Sequence, residues 1–399
     1  MINVDSTVHE ADDRFLSARE AARMLGVRKE TLYAYVSRGL LSRHGGPRSK
    51  GSLYLRSEVE RLKARSSARA GHGPVAATAL RWGEPVLDSA ITGIDERGPR
   101  YRGHVAVELA TSGAAFERVA ELLWTGTLPD RAAFPACDGR DATAERDPFR
   151  AFARLLLTLR DRAATPDVDT ATALERARTV LGTLSSFGKR ADGPIARRIA
   201  RVLRVSDAPA HLEAIDAALV LIADHELNAS SFAARVAAGT GADLHASLLA
   251  ALFTASGPRH GAASVRIEAL LHEIDERGSV ARAIADRLRL GDAIPGFGHP
   301  LYPSGDPRAA PLLLLAKKLA PSNRTVRTLL ALGARVARAR RELPNVDAAM
   351  VALSAALGAP AGSAQVLFVL GRVAGWVAHV VEQREAGFIL RPRARYVGP

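Results

Sequence analysis

Cysteine is all but absent from this chain: of 399 residues, Cys137 is the only one. A single thiol excludes an internal disulfide and any metal site built from several cysteines, and it fits a reducing cytoplasm. Aromatic residues are scarce at 5%, so Ala, Leu and Val must do most of the packing, which suits helices. The first thirteen residues hold Asp5, Glu10, Asp12 and Asp13 but no Lys or Arg, the reverse of a secretory signal. Long hydrophobic runs are missing too, with one exception. Residues 348–371 pass 24 positions without a charge, but Gly358-Ala359-Pro360-Ala361-Gly362-Ser363 interrupts them. That break predicts two buried helices joined by a turn and no membrane span.

What is present is ordinary globular composition, 47% hydrophobic and 24% charged, which excludes global disorder and predicts two or three domains. Charge is unevenly placed. Of the net +13, residues 14–69 carry +10, against −4 for residues 1–13 and +7 for all the rest. A compact basic module is the footprint of a phosphate-backbone binder. The alternative is a solubilising face, because 49 of the 55 basic residues are arginine and they run through the whole chain.

Within that module, Ser17-Ala18-Arg19-Glu20 is a capping box. Ala21, Ala22 and Leu25 then give a short apolar stripe that Gly26 ends. A second helix follows with Leu32, Val36 and Tyr35 or Tyr33 inward, and Gly39 stops it. Gly45, Gly46, Pro47 and Gly51, with Arg48 and Lys50, predict a basic hairpin tip before a strand at Leu53-Tyr54-Leu55. Another capping box, Ser57 to Glu60, opens a further helix. This order resembles the winged helix-turn-helix of MerR-type and excisionase-like proteins, over residues 14–65. One departure is Arg28, where a Ser or Thr cap is usual. The resemblance implies DNA contacts from Arg28, Lys29, Arg48 and Lys50; a protein-interaction module is the other reading. Residues 66–81 read as a flexible linker.

From Trp82 onward the periodicity is helical, with no sustained alternation. There is no P-loop and no H-E-x-x-H pair, and Gly296-Phe297-Gly298 lacks the third glycine of a dinucleotide fingerprint. Three histidines stand in polar or glycine-rich settings that a helical core does not need. They are in Asp224-His225-Glu226-Leu227-Asn228, Gly257-Pro258-Arg259-His260-Gly261 and Gly296-Phe297-Gly298-His299-Pro300. Asp306-Pro307-Arg308 and Pro344-Asn345-Val346-Asp347 follow.

In that order these segments resemble the citrate synthase family. So do Ser89-Ala90-Ile91-Thr92-Gly93-Ile94-Asp95 with Tyr101-Arg102-Gly103, Glu121-Leu122-Leu123-Trp124-Thr125-Gly126 and Gly371-Arg372 through Gly375-Trp376. The similarity covers about residues 82–399. It implies an all-α body, with a large helical domain over 82–261 and 350–399 and a small helical domain over 262–349. It also implies a homodimer without a resident cofactor or metal, taking oxaloacetate and acetyl-CoA or another short acyl-CoA to citrate and CoA.

Residue by residue, the resemblance makes Asp347 the base on the acyl methyl group, His260 the donor to the thioester oxygen and His299 the acid on the ketone oxygen. His225, Arg308, Arg372 and Arg391 would bind the ketoacid, with Arg391 crossing from the other subunit. His379, mid-helix beside Trp376, reads as structural. One departure is Pro300-Leu301-Tyr302-Pro303, which removes basic residues expected near the CoA phosphates. Either CoA binding is weakened or other arginines carry it. An acyltransferase is thus one reading. The other is a DNA-binding regulator whose citrate synthase-like body senses acyl-CoA or oxaloacetate.

Overall fold

The computed structural model describes residues 15–37, 41–43, 52–56, 58–59, 62, 87–145, 147–163, 167, 169–290 and 292–392, with 394, 396 and 398. They fall into two compact units, residues 89–392 forming one and the described residues on either side forming the other.

In the N-terminal unit, β1 (Phe15–Ser17) leads directly into α1 (Ala18–Leu25), and α2 (Lys29–Ser37) follows a three-residue link, Gly26-Val27-Arg28. The capping box is present: Ser17 Oγ accepts from the Glu20 amide at 3.3 Å, and Glu20 Oε2 accepts from the Ser17 amide at 2.8 Å. Gly26 ends α1 at φ 66, a conformation a side chain would strain. The Arg28 carbonyl accepts from Thr31 and Leu32, so Arg28 stands where a capping side chain is usual. β2 (Leu53–Leu55) forms as expected and pairs antiparallel with β1, Leu16 opposite Tyr54. Leu16, Ala21, Ala22, Leu32, Leu41, Tyr54, Val59 and Leu62 make the core, with Tyr35 packed on it. Tyr33 is exposed, which settles the tyrosine alternative. Ser57, Glu60, the hairpin tip with Arg48 and Lys50, and the linker lie outside the described residues.

The larger unit is helical, apart from a small antiparallel sheet of β3 (Thr92–Asp95), β4 (Gly98–Tyr101) and β5 (His104–Val105). The body is thus helical as expected, and this sheet is a minor addition to it. Its strands are too short to show alternation, and the two-residue turns Glu96-Arg97 and Arg102-Gly103 join them in register. Then come α3 (Ala106–Thr111), α4 (Phe116–Thr125), α5 (Pro148–Arg162), α6 (Thr170–Leu184), α7 (Ile195–Leu203), α8 (Pro209–Ile222), α9 (Ala229–Gly239) and α10 (Leu244–Ala255). After these follow α11 (Ala263–Arg277), α12 (Val280–Leu290), α13 (Ala309–Leu319), α14 (Arg324–Arg340), α15 (Val346–Ala356) and α16 (Ser363–Ala386).

The uncharged stretch does break, α15 ending at Ala356 and α16 starting at Ser363. By length and hydropathy α16 is able to cross a membrane, yet 94% of its apolar window is buried in the body. It is the central helix, packed on α8, α9, α10 and α4. Two glycines let it approach α8. A Cβ on Gly371 would lie 2.2 Å from Ile222, and one on Gly375 would lie 2.3 Å from Asp224 Oδ1 and 2.6 Å from the Ala223 carbonyl. The Gly375 amide donates to that carbonyl at 3.0 Å. Side chains at both positions are thus excluded by backbone contact, and Arg372 between them is brought beside the end of α8.

Candidate active site

Where α8 ends, Glu226 takes a left-handed φ of 55 and turns the chain so that His225 is buried. Asn228 caps α9, its Oδ1 accepting from the Ser230 and Ser231 amides at 3.1 and 3.2 Å. Behind this turn lies a buried polar chain. His379 Nε2 is 3.4 Å from Asp224 Oδ1, and its Nδ1 faces Arg235 Nη1 at 3.4 Å. Arg235 also donates to Glu382 at 2.6 Å and to Gln383 at 2.9 Å. His379 ties α16 to the His225 turn, a structural position.

The His299 loop is stitched to the start of α15. Phe297 and Pro344 form an isolated antiparallel bridge, with Gly298 donating to Leu343 and Asn345 to Gly296, both at 2.9 Å. Asn345 caps α15 and also donates to the Gly298 carbonyl at 3.2 Å. Asp306 holds Arg308 through two bonds of 2.9 and 2.8 Å and accepts from the Val346 amide at 3.0 Å. One carboxylate therefore fixes both a buried arginine and the first turn of α15, where Asp347 sits.

These supports bring the rings together. His225 and His299 have centroids 5.3 Å apart, edge to face. Tyr302 lies 4.9 Å from His299, its hydroxyl 2.9 Å from His225 Nε2 and Arg308 Cζ 5.4 Å over its ring. The Leu301 amide donates to His299 Nδ1 at 3.1 Å, which leaves the ring proton of neutral His299 on Nε2. His260, in the turn before α11, stands edge-on to Phe368 at 5.7 Å, and Arg372 Cζ lies 5.1 Å over that same ring. His260 Nε2 is 2.7 Å from Ser230 Oγ, which receives the Trp376 indole N–H at 3.0 Å and lies 2.7 Å from Asn228 Oδ1. The Ser230 hydroxyl has one proton and two acceptors, Asn228 and His260. Where that proton points decides which nitrogen of neutral His260 carries its own.

Charge in this cleft is unusual. Arg372 is buried, and its Nε and Nη1 find no partner among the described residues. Such unpaired donors are costly unless a ligand satisfies them. Burial, reinforced by Arg372, lowers His260 to about 4. Burial and Arg308 lower His299 to about 4. His225 is pushed well below its ordinary value by burial and the same arginines. All three imidazoles are neutral at physiological pH. Asp347 moves the other way: burial raises it to about 6, although Arg308 and Arg372 pull it down. A carboxylate of that strength is ionised at pH 7 and still takes a proton readily.

Of the residues singled out in the sequence, His225, His260, His299, Arg308, Asp347 and Arg372 lie on the segments joined by these contacts. Arg391 does not join them; it is exposed in the segment after α16. Arg28 and Lys29 are exposed at the start of α2. Sequence reasoning missed Ser230, Tyr302, Asp306 and Trp376 as supports. The only signal for them was proximity to a flagged histidine or arginine, since a hydroxyl or an indole has no diagnostic spacing.

The sequence model described as "Citrate synthase, C-terminal domain" matches residues 79–187 and 167–393. The chain belongs to the citrate synthase family. A helix-turn-helix domain model matches residues 15–67. Citrate synthase 2 of Bacillus subtilis is 30% identical over 360 residues, covering 81% of this chain and 96% of that protein. A 2-methylcitrate synthase of Mycobacterium tuberculosis is 30% identical over 335 residues, covering 75% and 84%. Among solved structures, citrate synthase from Thermoplasma acidophilum, in ternary complex with carboxymethyl coenzyme A and oxaloacetate, superposes with a TM-score of 0.70. It is 25% identical, covering 81% of this chain and 96% of that one. Citrate synthase from Thermotoga maritima gives 0.67 at 26% identity, covering 79% and 94%. The family thus includes relatives named for two products, citrate and 2-methylcitrate.

Proposed function

We propose that this citrate synthase-family enzyme condenses a short acyl-CoA, acetyl-CoA first among them, with oxaloacetate and releases CoA. The observation that carries the reading is the cleft itself. It holds a carboxylate with a pKa of about 6, neutral histidines, and a buried arginine with two unpaired nitrogens. Asp347 takes a proton from the carbon next to the thioester carbonyl. His260 donates a hydrogen bond to the enol oxygen that forms, which requires the Ser230 hydroxyl to turn toward Nε2 and leave the imidazole proton on Nδ1. The enol carbon then attacks the ketone carbon of oxaloacetate, and His299 gives its Nε2 proton to the ketone oxygen. Water finally cleaves the thioester, giving citrate and CoA. Arg372 and the remaining nitrogen of Arg308 hold carboxylates of the ketoacid, and His225 contacts it as well.

Closure of the segment 262–349 over the rest of the body would exclude water from the enol. A second copy of the chain supplies Arg391 as the crossing residue. Leu157 on α5 and Phe253 on α10, 47% and 59% exposed beside one another on a shared groove, suit burial against that copy. The test is thiol release by purified protein from acetyl-CoA or propionyl-CoA. Oxaloacetate-dependent release with either supports the reading, the ratio of the two naming the preferred acyl group; release with neither refutes it.

A second reading rests on the N-terminal unit, whose helix-turn-helix carries exposed Arg28 and Lys29. Here the protein is a DNA-binding regulator that senses the same ligands through its body. Selection from random duplexes checks this: a dimer should recover paired half-sites, and binding without sequence preference counts against it.

A further inference from the structure

We propose that Tyr302 is a positioning residue for the two histidines that meet the ketoacid, and that its hydroxyl dictates which nitrogen of His225 carries the proton. The proposal rests on the condensation reading for its kinetic consequences, though not for the proton placement. Tyr302 is 4% exposed, and its amide donates back to the His299 carbonyl at 3.0 Å, folding the ring against its own loop. From there it meets three groups. It lies over His299 at 4.9 Å with the planes tilted by 33°, presents its hydroxyl to His225 Nε2 at 2.9 Å, and offers its face to Arg308 at 5.4 Å. A hydrophobic side chain would fill the same space but could not hold His225.

The direction of the Tyr302–His225 bond follows from elementary acid–base chemistry. Burial pushes the phenol up to about 12, so it remains protonated, and His225 is neutral. Of this pair, phenol is the better acid and imidazole nitrogen the better base. The phenol therefore donates to Nε2, and the proton of His225 is placed on Nδ1. His299 is the mirror case, because Leu301 donates to its Nδ1 and leaves the proton on Nε2. Neighbouring imidazoles 5.3 Å apart thus carry opposite tautomers, each fixed by a donor from the one loop. Neither has to rearrange its proton when the ketoacid arrives, and the loop sets both.

The test compares wild type, Tyr302→Phe and Tyr302→Leu. In protein carrying 15N-labelled histidine, long-range proton–nitrogen spectra report the tautomer of each ring, with His225→Gln assigning the resonances. Wild type should show His225 protonated at Nδ1, and Tyr302→Phe should lose that preference while keeping the His299 pattern. In kinetics, Tyr302→Phe should raise the KM for oxaloacetate roughly tenfold, the worth of one hydrogen bond, with a smaller effect on kcat and on the KM for acyl-CoA. Tyr302→Leu, which also removes the ring beside His299, should lower kcat further. His225 protonated at Nε2 in wild type overturns the proposal, as does a Phe variant with an unchanged His225 spectrum. If wild type shows no turnover, the condensation reading fails and the spectra alone decide the role of Tyr302.

Discussion

Replacing Asp347 by asparagine should make the protein more stable and far less active. Burial raises this carboxyl from 3.8 to about 6, and each unit corresponds to about 1.4 kcal/mol. Ionised Asp347 therefore costs the folded state about 3 kcal/mol relative to an unfolded chain, where the group is solvated. The sign follows from proton counts. Between about pH 4 and pH 6 the folded protein holds a proton that the unfolded chain has released, so stability falls as pH rises through that window. Above it the full cost is present, and below it none is. Asparagine keeps the shape and never ionises. Urea unfolding at pH 7.5 should show Asp347→Asn more stable by up to about 3 kcal/mol, with the midpoint shifted and the slope unchanged. At pH 4.5 most of the gain should be gone. Thiol release should fall by at least about a hundredfold, the usual contribution of a general base. In wild type, kcat/KM should decline on the acid side with a pKa of about 6. An asparagine variant no more stable at pH 7.5, or equally stabilised at both pH values, would refute the assignment of a strained carboxylate.

Three further outcomes are expected. Ser230→Ala should leave the fold intact but lower kcat by roughly tenfold or more, because the donor to His260 Nε2 is gone; circular dichroism and steady-state kinetics check both. Gly375→Ala should destabilise by about 3 kcal/mol, since its Cβ meets Asp224 and the Ala223 carbonyl below 3 Å, and should weaken ketoacid binding by displacing Arg372; a melting curve that matches wild type contradicts this. Deletion of residues 1–72 should alter each KM by less than about threefold, below ordinary allosteric coupling; a larger change in a folded protein would mean that ligand binding depends on the N-terminal residues.

Features written locally were legible in the sequence. The Ser17–Glu20 cap, the break between α15 and α16, and the glycine and acid settings of His225, His260 and His299 all depend on neighbours within a few residues. β1 was not legible, because three residues acquire strand character only by pairing with Leu53–Leu55. The sheet of β3 to β5 escaped for the same reason. Within the site, charged groups announced themselves, whereas Ser230 and Tyr302 did not. Their importance comes from what the fold sets against them, His260 across 30 positions and His225 across 77. The Asp306 carboxylate was visible as part of Asp306-Pro307-Arg308, but its bond to the Val346 amide, 40 positions on, was not.

The indole of Trp376 donates to the hydroxyl that also meets His260, which gives the molecule a built-in optical reporter. Indole emission responds to the polarity and hydrogen bonding around its N–H, and here that N–H is one atom removed from a candidate catalytic ring. The other tryptophans are Trp82 and Trp124, and Trp124 donates instead to the Ala374 carbonyl and stacks on Phe134. With both of those changed to phenylalanine, the remaining emission would come from Trp376 alone. Ligand arrival, rotation of the Ser230 hydroxyl and closure of the cleft could then be followed in real time by stopped flow, without an attached dye.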